Sequence, residues 1–372
     1  MIEVPEGLAG VVIGETCISN VDGEAGQLSY RGYSIDKLST QPLLRVAWLL
    51  IFGEKPSQTE EEALGQFLLK HRELNRAEQL MLQAIPTTTH PMLMLQGMVP
   101  LLDLTPQCAI DLPYGGEDAI QGLIIAAKIP TLIASFRRLE RGESAVSHSD
   151  DPNFHRYFLQ ALHGQTPTPE QLSTLDAAQI LQMEHSFNAG TFAGRVTLST
   201  AAPISSSISA SLGTLYGRLH GGADQAALEA ATMVGTPDAA ANYVRETLAA
   251  GGKIMGMGHR EYRVVDPRAK ILKPMARLVC TTEESARLLA TLEAIEAACI
   301  DQLERPDRPI RANVEFYKGA VFHALGIPSH YFTAMFAMAR TFGYIAHCVE
   351  FRPISKLIRP AAAYAGNKAK AA

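Results

Sequence analysis

A mainly α-helical chain with one short N-terminal β element is the fold class that this sequence predicts, and three observations carry it. Proline follows a capping side chain at Asp151-Pro152, Thr168-Pro169 and Thr236-Pro237. That pattern reads as a helix start, because proline's missing N–H is no loss in a first turn. Glycine stands where helices should stop, at Gly53 and Gly164. The N-terminal stretch, residues 11–30, carries β-branched residues around Asp22-Gly23 and reads as a hairpin or paired extended segment; beyond it the signals are helical almost throughout.

Taken in order after that hairpin, helices are expected at about 42–52 and 59–71, the second opened by Ser57 and Glu60 as a capping box. Others are expected at about 152–163, 169–195, 204–216, 222–234, 237–250, 283–304, 314–325 and 330–350. So many helices beside one β element define the mainly-α class. Residues 205–215 (SSSISASLGTL) are small, which suits either a tight helix pair, including one across a subunit boundary, or an ordinary core helix. Residues 331–349 are apolar enough to suggest a membrane span. Arg340 at their centre and His347 near their end fit a buried helix better.

With 372 residues, 47% of them apolar, the chain can bury a large core and is expected to divide into two domains. A net charge of −5 and a pI near 6.1 argue against a nucleic-acid surface. Five scattered cysteines without CxxC spacing read as cytosolic usage, with neither a disulfide framework nor a zinc site. The first ten residues carry no basic or apolar signal-peptide region, so a cytoplasmic location is expected.

The most informative stretch is residues 253–268, KIMGMGHREYRVVDPR. Gly256 and Gly258 let a backbone approach a ligand closely, His259 follows, and Lys253, Arg260, Arg263, Arg268 and Lys270 make a basic field. That suits a small anion whose carbonyl needs polarising, or merely a solvated basic loop. His220, in LHGGAD before a helix start, and His185, in MEHSFNAGTF with Asn188 expected one helical turn away, are each either structural or catalytic. Glu315, between Val314 and Phe316, reads equally as a base of raised pKa or as a helix-start carboxylate. A guanidinium inside FTAMFAMARTFGYIAH is costly without an anionic partner, so Arg340 should have one. Arg359, in LIRPAAAY, is unremarkable by itself. P-loop, HExxH and GxSxG motifs are absent, and GMGHRE lacks the third glycine of a dinucleotide fingerprint. Histidines, arginines and one carboxylate without a covalent nucleophile fit proton transfer beside a carbonyl.

These residues resemble the citrate synthase family along nearly the whole chain, through GLAGVVIGETCISNVDGEAGQLSYRGYSIDKL, HSFNAGTF, LHGGA, IMGMGHREYRVVDPRAKIL, NVEFY, FTAMFAMARTFGYIAH and IRP. The resemblance implies a mainly α two-domain homodimer: a large helical domain over 1–221 and 329–372, and a small mobile one over 222–328 on the coenzyme A side. It implies condensation of acetyl-CoA with oxaloacetate, with His220, His259 and Glu315 catalytic. His185, Asn188, Arg268, Phe336 and Arg340 would bind substrate, with Arg359 reaching the partner's site. Lys253, Met255, Gly256, Met257, Gly258 and Asn313 would line the coenzyme A site. No metal or prosthetic group is implied, acetyl-CoA and coenzyme A being substrate and product. The 2-methylcitrate synthase reaction on propionyl-CoA, and a weakly active or non-catalytic binding paralogue, are the alternatives. Five positions depart from the family pattern: Glu315 replaces aspartate, Asp224 replaces asparagine, Glu261 replaces an apolar residue, and Ser186 and Gly190 alter the motif after His185.

Overall fold

The computed structural model describes residues 5–8, 10–146, 149–217, 221–259, 261–303, 310–364 and 366. It is mostly helical. Three short antiparallel strands, β1 (Ser19–Asp22), β2 (Gln27–Tyr30) and β3 (Tyr33–Ser34), lie side by side in chain order. Ser19 faces Tyr30 and Asp22 faces Gln27, so the turn falls at the expected Asp22-Gly23. Asp22 Oδ1 closes that turn by accepting from Ala25 N at 2.8 Å.

The helices follow as α1 (Ile35–Leu38), α2 (Leu43–Phe52), α3 (Gln58–His71), α4 (Arg76–Ala84), α5 (Pro91–Met98) and α6 (Gly116–Glu140). Next come α7 (Phe154–His163), α8 (Pro169–Ile180), α9 (Ala189–Leu198), α10 (Ile204–Leu215) and α11 (Ala223–Val234). The chain then forms α12 (Ala240–Ala249), α13 (Pro267–Val279), α14 (Glu283–Leu303), α15 (Val314–Ala324) and α16 (Phe332–Phe351). The local chemistry is mostly the expected kind. Ser57 and Glu60 form a reciprocal capping box, as do Thr168 and Gln171, and Gly53 and Gly164 end their helices with φ of 82° and 73°.

Three expectations fail in detail. The helix after Asp151-Pro152 is capped instead by Asn153, whose side chain accepts from Arg156 N; Asp151 turns the chain one step earlier by accepting from Asn153 N at 2.9 Å. Thr236-Pro237 opens a 3-10 turn with no side-chain cap, and α12 begins at Ala240. The helix expected at 169–195 is two helices, because residues 181–188 leave helical geometry and Ser186 takes a φ of 51°.

Helix α16 lies at the centre, buried from Phe332 to Val349, and packs on α6, α2, α10 and α9. Helix α6, the one described helix long and apolar enough to cross a bilayer, is 89% buried over its apolar window. The small-residue helix α10 makes its tight pair within the chain, against α9: Ser207 Oγ donates to Gly194 O at 2.8 Å, and a Cβ on Gly194 would meet Ser211 Oγ at 2.3 Å. A second group packs α13 and α11 against α15, and α12 against α14.

Candidate active site

The small sheet holds two loops that carry histidines. Tyr30 Oη donates toward Ile180 O (2.9 Å) and Glu184 O (3.0 Å), and Ser19 Oγ accepts from Ser186 N at 3.0 Å. These bonds fix residues 181–188 as a turn, so His185 sits on a pinned loop and not on a helix face. Asn188 is not a helical turn from it. Its side chain caps α9, accepting from Thr191 N (3.2 Å) and donating to Thr191 Oγ1 (2.8 Å) and Ser186 O (3.1 Å). At the other end of the hairpin, Gly23 O accepts from Arg263 N at 2.9 Å, which ties down the loop after His259.

His185 and His259 face one another with ring centroids 5.6 Å apart, and His185 Nε2 lies 3.1 Å from Tyr262 Oη. Burial, then the guanidiniums of Arg268 and Arg340, hold His185 neutral, well below the ordinary imidazole range. His259 is likewise pushed down to about 4, by burial and then by Arg268. Its Nδ1 accepts from the backbone N–H of Glu261 (3.0 Å) and Tyr262 (3.3 Å), so the neutral ring carries its proton on Nε2. That Nε2 lies 3.2 Å from Arg268 Nη2. Two donors thus face one another, an arrangement that an acceptor oxygen placed between them would satisfy.

Arg268 is held by Asp266, which takes Nε at 3.0 Å and Nη2 at 2.9 Å in the bidentate geometry that favours arginine. Burial pushes the Asp266 carboxyl up, but Arg268 more than reverses this and holds it below the ordinary range. Asp266 also accepts from Arg268 N and, across to α15, from Val314 N at 3.0 Å. Arg340 is 2% exposed. No carboxylate among the described residues lies within ion-pair distance of it; its Nε donates to Gln182 O at 2.6 Å and its guanidinium stands 4.7 Å from the Phe336 ring centroid. Phe336, an expected substrate contact, is thereby placed beside both Arg340 and Lys318, the latter at 4.3 Å.

The glycine hinge lies against the start of α15. Asn313 N donates to Gly256 O (2.9 Å), Gly258 N to Arg311 O (2.8 Å) and Asn313 Nδ2 to Gly258 O (2.9 Å), with Met257 bridged to Ala312. Gly256 has a φ of 80°, and a Cβ there would come 2.8 Å from the Phe316 ring. Asn313 also caps α15 by accepting from Glu315 N at 3.0 Å, which sets Glu315 at the helix start. Met255 (43% exposed) and Lys253 face solvent at the mouth of this loop.

One expected residue is not among those described, and another is not brought into the cluster. His220 lies outside the described residues. Arg359 is exposed beyond α16 and forms no hydrogen bond or ion pair among the described residues of its own chain. Sequence reasoning missed Lys318, Gln182, Tyr262 and Asp266. Lys318 is fully buried, three residues after Glu315, and its Nζ bonds Glu315 Oε2 and, at 2.9 Å, Gln182 Oε1. A lysine at that spacing on an apolar helix was the available signal. Among the described residues no group of three or more His, Cys, Asp or Glu side chains could hold a metal ion.

The cluster is a pair of neutral imidazoles and two guanidiniums beside a helix-start carboxylate, with a glycine loop lying along it. The model of the citrate synthase C-terminal domain matches residues 7–361. The chain belongs to the citrate synthase family. It is similar to the citrate synthase of Synechocystis sp., 35% identical over 97% of this chain and 91% of the relative. It is also similar to the 2-methylcitrate synthase of Mycobacterium tuberculosis, 32% identical over 98% and 91%. Among solved structures, citrate synthase from Pyrobaculum aerophilum matches with a TM-score of 0.89 and 34% identity, over 98% of this chain and 93% of that one. The enzyme from Thermoplasma acidophilum, in ternary complex with carboxymethyl coenzyme A and oxaloacetate, matches with a TM-score of 0.89 and 26% identity, over 99% and 98%.

Proposed function

We propose that this chain condenses acetyl-CoA with oxaloacetate to give citrate and free coenzyme A, water being consumed to cleave the intermediate thioester. The observation that carries the reading is the facing pair of donors, His259 Nε2 and Arg268 Nη2, with a second imidazole and a second guanidinium beside them. Oxaloacetate has the matching features: two carboxylates for the guanidiniums of Arg268 and Arg340, and a ketone oxygen for the His259 N–H. Glu315 removes a methyl proton from the thioester, and the electron pair passes to the thioester oxygen, which His220 is expected to hold. The enol carbon then attacks the ketone carbon, whose oxygen gains a proton from His259. A neutral histidine suits that role, because it donates without first neutralising a substrate carboxylate. Closure of a small domain over 222–328 onto the rest would exclude water until the carbon–carbon bond has formed. The working unit is a cytoplasmic homodimer in which Arg359 completes the partner's carboxylate clamp.

The 2-methylcitrate synthase reaction is the second reading, favoured by the similarity to the mycobacterial enzyme. One methylene in an apolar pocket is worth only about 1–3 kcal/mol, so the same framework serves either acyl group. Thiol release with oxaloacetate and either acetyl-CoA or propionyl-CoA tests both. Faster turnover of acetyl-CoA is expected, propionyl-CoA preference would shift the reading, and release with neither would end it. In the same assay Glu315→Gln should abolish turnover while leaving oxaloacetate binding by calorimetry intact.

A further inference from the structure

Glu315, Lys318 and Asp224 form a buried charged trio of which the proposed reaction uses only one member. Lys318 and Asp224 have no exposed side-chain surface, and Glu315 retains 14%. The lysine's well-directed bonds go to Glu315 Oε2 and Gln182 Oε1. Asp224 Oδ2 lies 3.2 Å from the ammonium, in charge contact but without an aligned hydrogen bond. Burying an ammonium is expensive unless something is gained from its partners.

We propose that Lys318 is the positioning residue for the base Glu315, with Asp224 as the counter-charge that keeps the base effective; this rests on the reading of Glu315 as the base. Two arguments support it. Glutamate carries one rotatable bond more than aspartate, and Lys318 removes that freedom by holding Oε2. Oε1 accepts no hydrogen bond among the described residues and is left to take the proton. The anchor is external to α15, since Gln182 and Phe336 belong to the 181–188 loop and to α16. Gln182 O also receives Arg340 Nε, so the base and the carboxylate clamp are registered through one residue.

The second argument is electrostatic. An ammonium alone would stabilise the Glu315 carboxylate and weaken it as a base. With Asp224 also ionised, the trio carries a net −1 before proton transfer and zero afterwards. When the thioester C–H breaks, the proton goes to Glu315 Oε1, the electron pair goes to the thioester oxygen, and Lys318 remains paired with Asp224. Burial pushes the Asp224 carboxyl up to about 6, with Lys318 pulling against it, so it is ionised above that pH.

The test compares the full chain with Lys318→Met and Asp224→Asn in the thiol-release assay, using acetyl-CoA and trideuterated acetyl-CoA. Lys318→Met should lower kcat about 100-fold, the cost of a base misplaced by about 1 Å. The KM for oxaloacetate should stay within about threefold, and the deuterium isotope effect on kcat should rise as proton removal becomes limiting. Asp224→Asn should lower kcat about 10-fold with the same isotope signature, by leaving the ammonium uncompensated. If Lys318→Met does not fold, Lys318→Gln carries the same expectation. Wild-type kcat and isotope effect in the lysine variant, or a fall in kcat matched by equal loss of oxaloacetate affinity, would overturn the inference while the condensation reading stands. Absence of turnover by the unmodified chain would overturn both.

Discussion

Arg340 shows how a buried charge can be held ready for a ligand. Its Nε is fixed by a main-chain oxygen at 2.6 Å and its face rests near Phe336, so the fork is oriented without a protein carboxylate consuming its charge. Lysine could not reproduce that planar fork. Arg340→Lys is expected to raise the Kd for oxaloacetate about 10–100-fold, the loss of one charge-assisted bidentate contact. Unchanged affinity by calorimetry would mean that the guanidinium serves the fold alone. That this arginine matters was legible in the sequence, because a charge at the centre of an apolar helix stands out. Its partner was not. A backbone oxygen from Gln182, far away in the chain, leaves no pattern, whereas Lys318 left one in its three-residue spacing from Glu315 on an apolar helix, though its full burial shows only in the packing.

At the scale of elements, the glycine loop and α15 behave as one unit. The bonds between Gly256–Gly258 and Arg311–Asn313 set the loop that is expected to carry coenzyme A beside the start of α15, where Glu315 stands. Gly256→Ala would need both a left-handed backbone and space occupied by Phe316, so it should cost about 1–3 kcal/mol of stability. It should also raise the KM for acetyl-CoA more than that for oxaloacetate. Steady-state kinetics with thermal unfolding checks this, and an unaltered Tm would contradict it. Helices with polar caps were readable, and two that the sequence reading left out carried the same signals: the Asn75–Glu78 capping box of α4 and the Asp266-Pro267 start of α13. Helix α6 was harder, since it starts at Gly115-Gly116, contains Pro130 and is apolar nearly all round, which leaves no periodicity to read. The break at 181–188 was illegible for a different reason. Leu181, Gln182 and Met183 continue a helical pattern, and only Tyr30 and Ser19, more than 100 residues earlier, turn the chain away.

For the whole molecule, the neutral histidines make stability depend on pH. His259 is held near 4, His185 well below its usual range, and His163, His90 and His71 also below it, in each case chiefly by burial. Below about pH 6.5 the unfolded chain takes up protons at these rings that the folded chain refuses, so stability falls as pH falls. At pH 5, His259 alone should cost on the order of 2 kcal/mol relative to pH 7.5. Asp224, whose carboxyl burial raises to about 6, opposes this by on the order of 1 kcal/mol as it takes up its proton, but the five rings together outweigh it. The depressed carboxyls of Asp266 and Glu184 do not act in this window, since their stabilisation is lost only below the unfolded carboxylate values near pH 4. Urea unfolding at pH 7.5, 6 and 5 should show the decline, and a flat profile would exclude it.

The hydrogen bond from Val314 N to Asp266 Oδ2 joins two helices whose sequence positions are 48 residues apart. Its amide proton can trade with solvent deuterium only when α13 and α15 separate, and that same opening removes Arg268 from the neighbourhood of Glu315. The exchange rate of this single amide is therefore a clock for how often Arg268 and Glu315 come apart. Oxaloacetate, expected to engage Arg268 where Asp266 holds it, should slow the exchange by favouring the closed pairing.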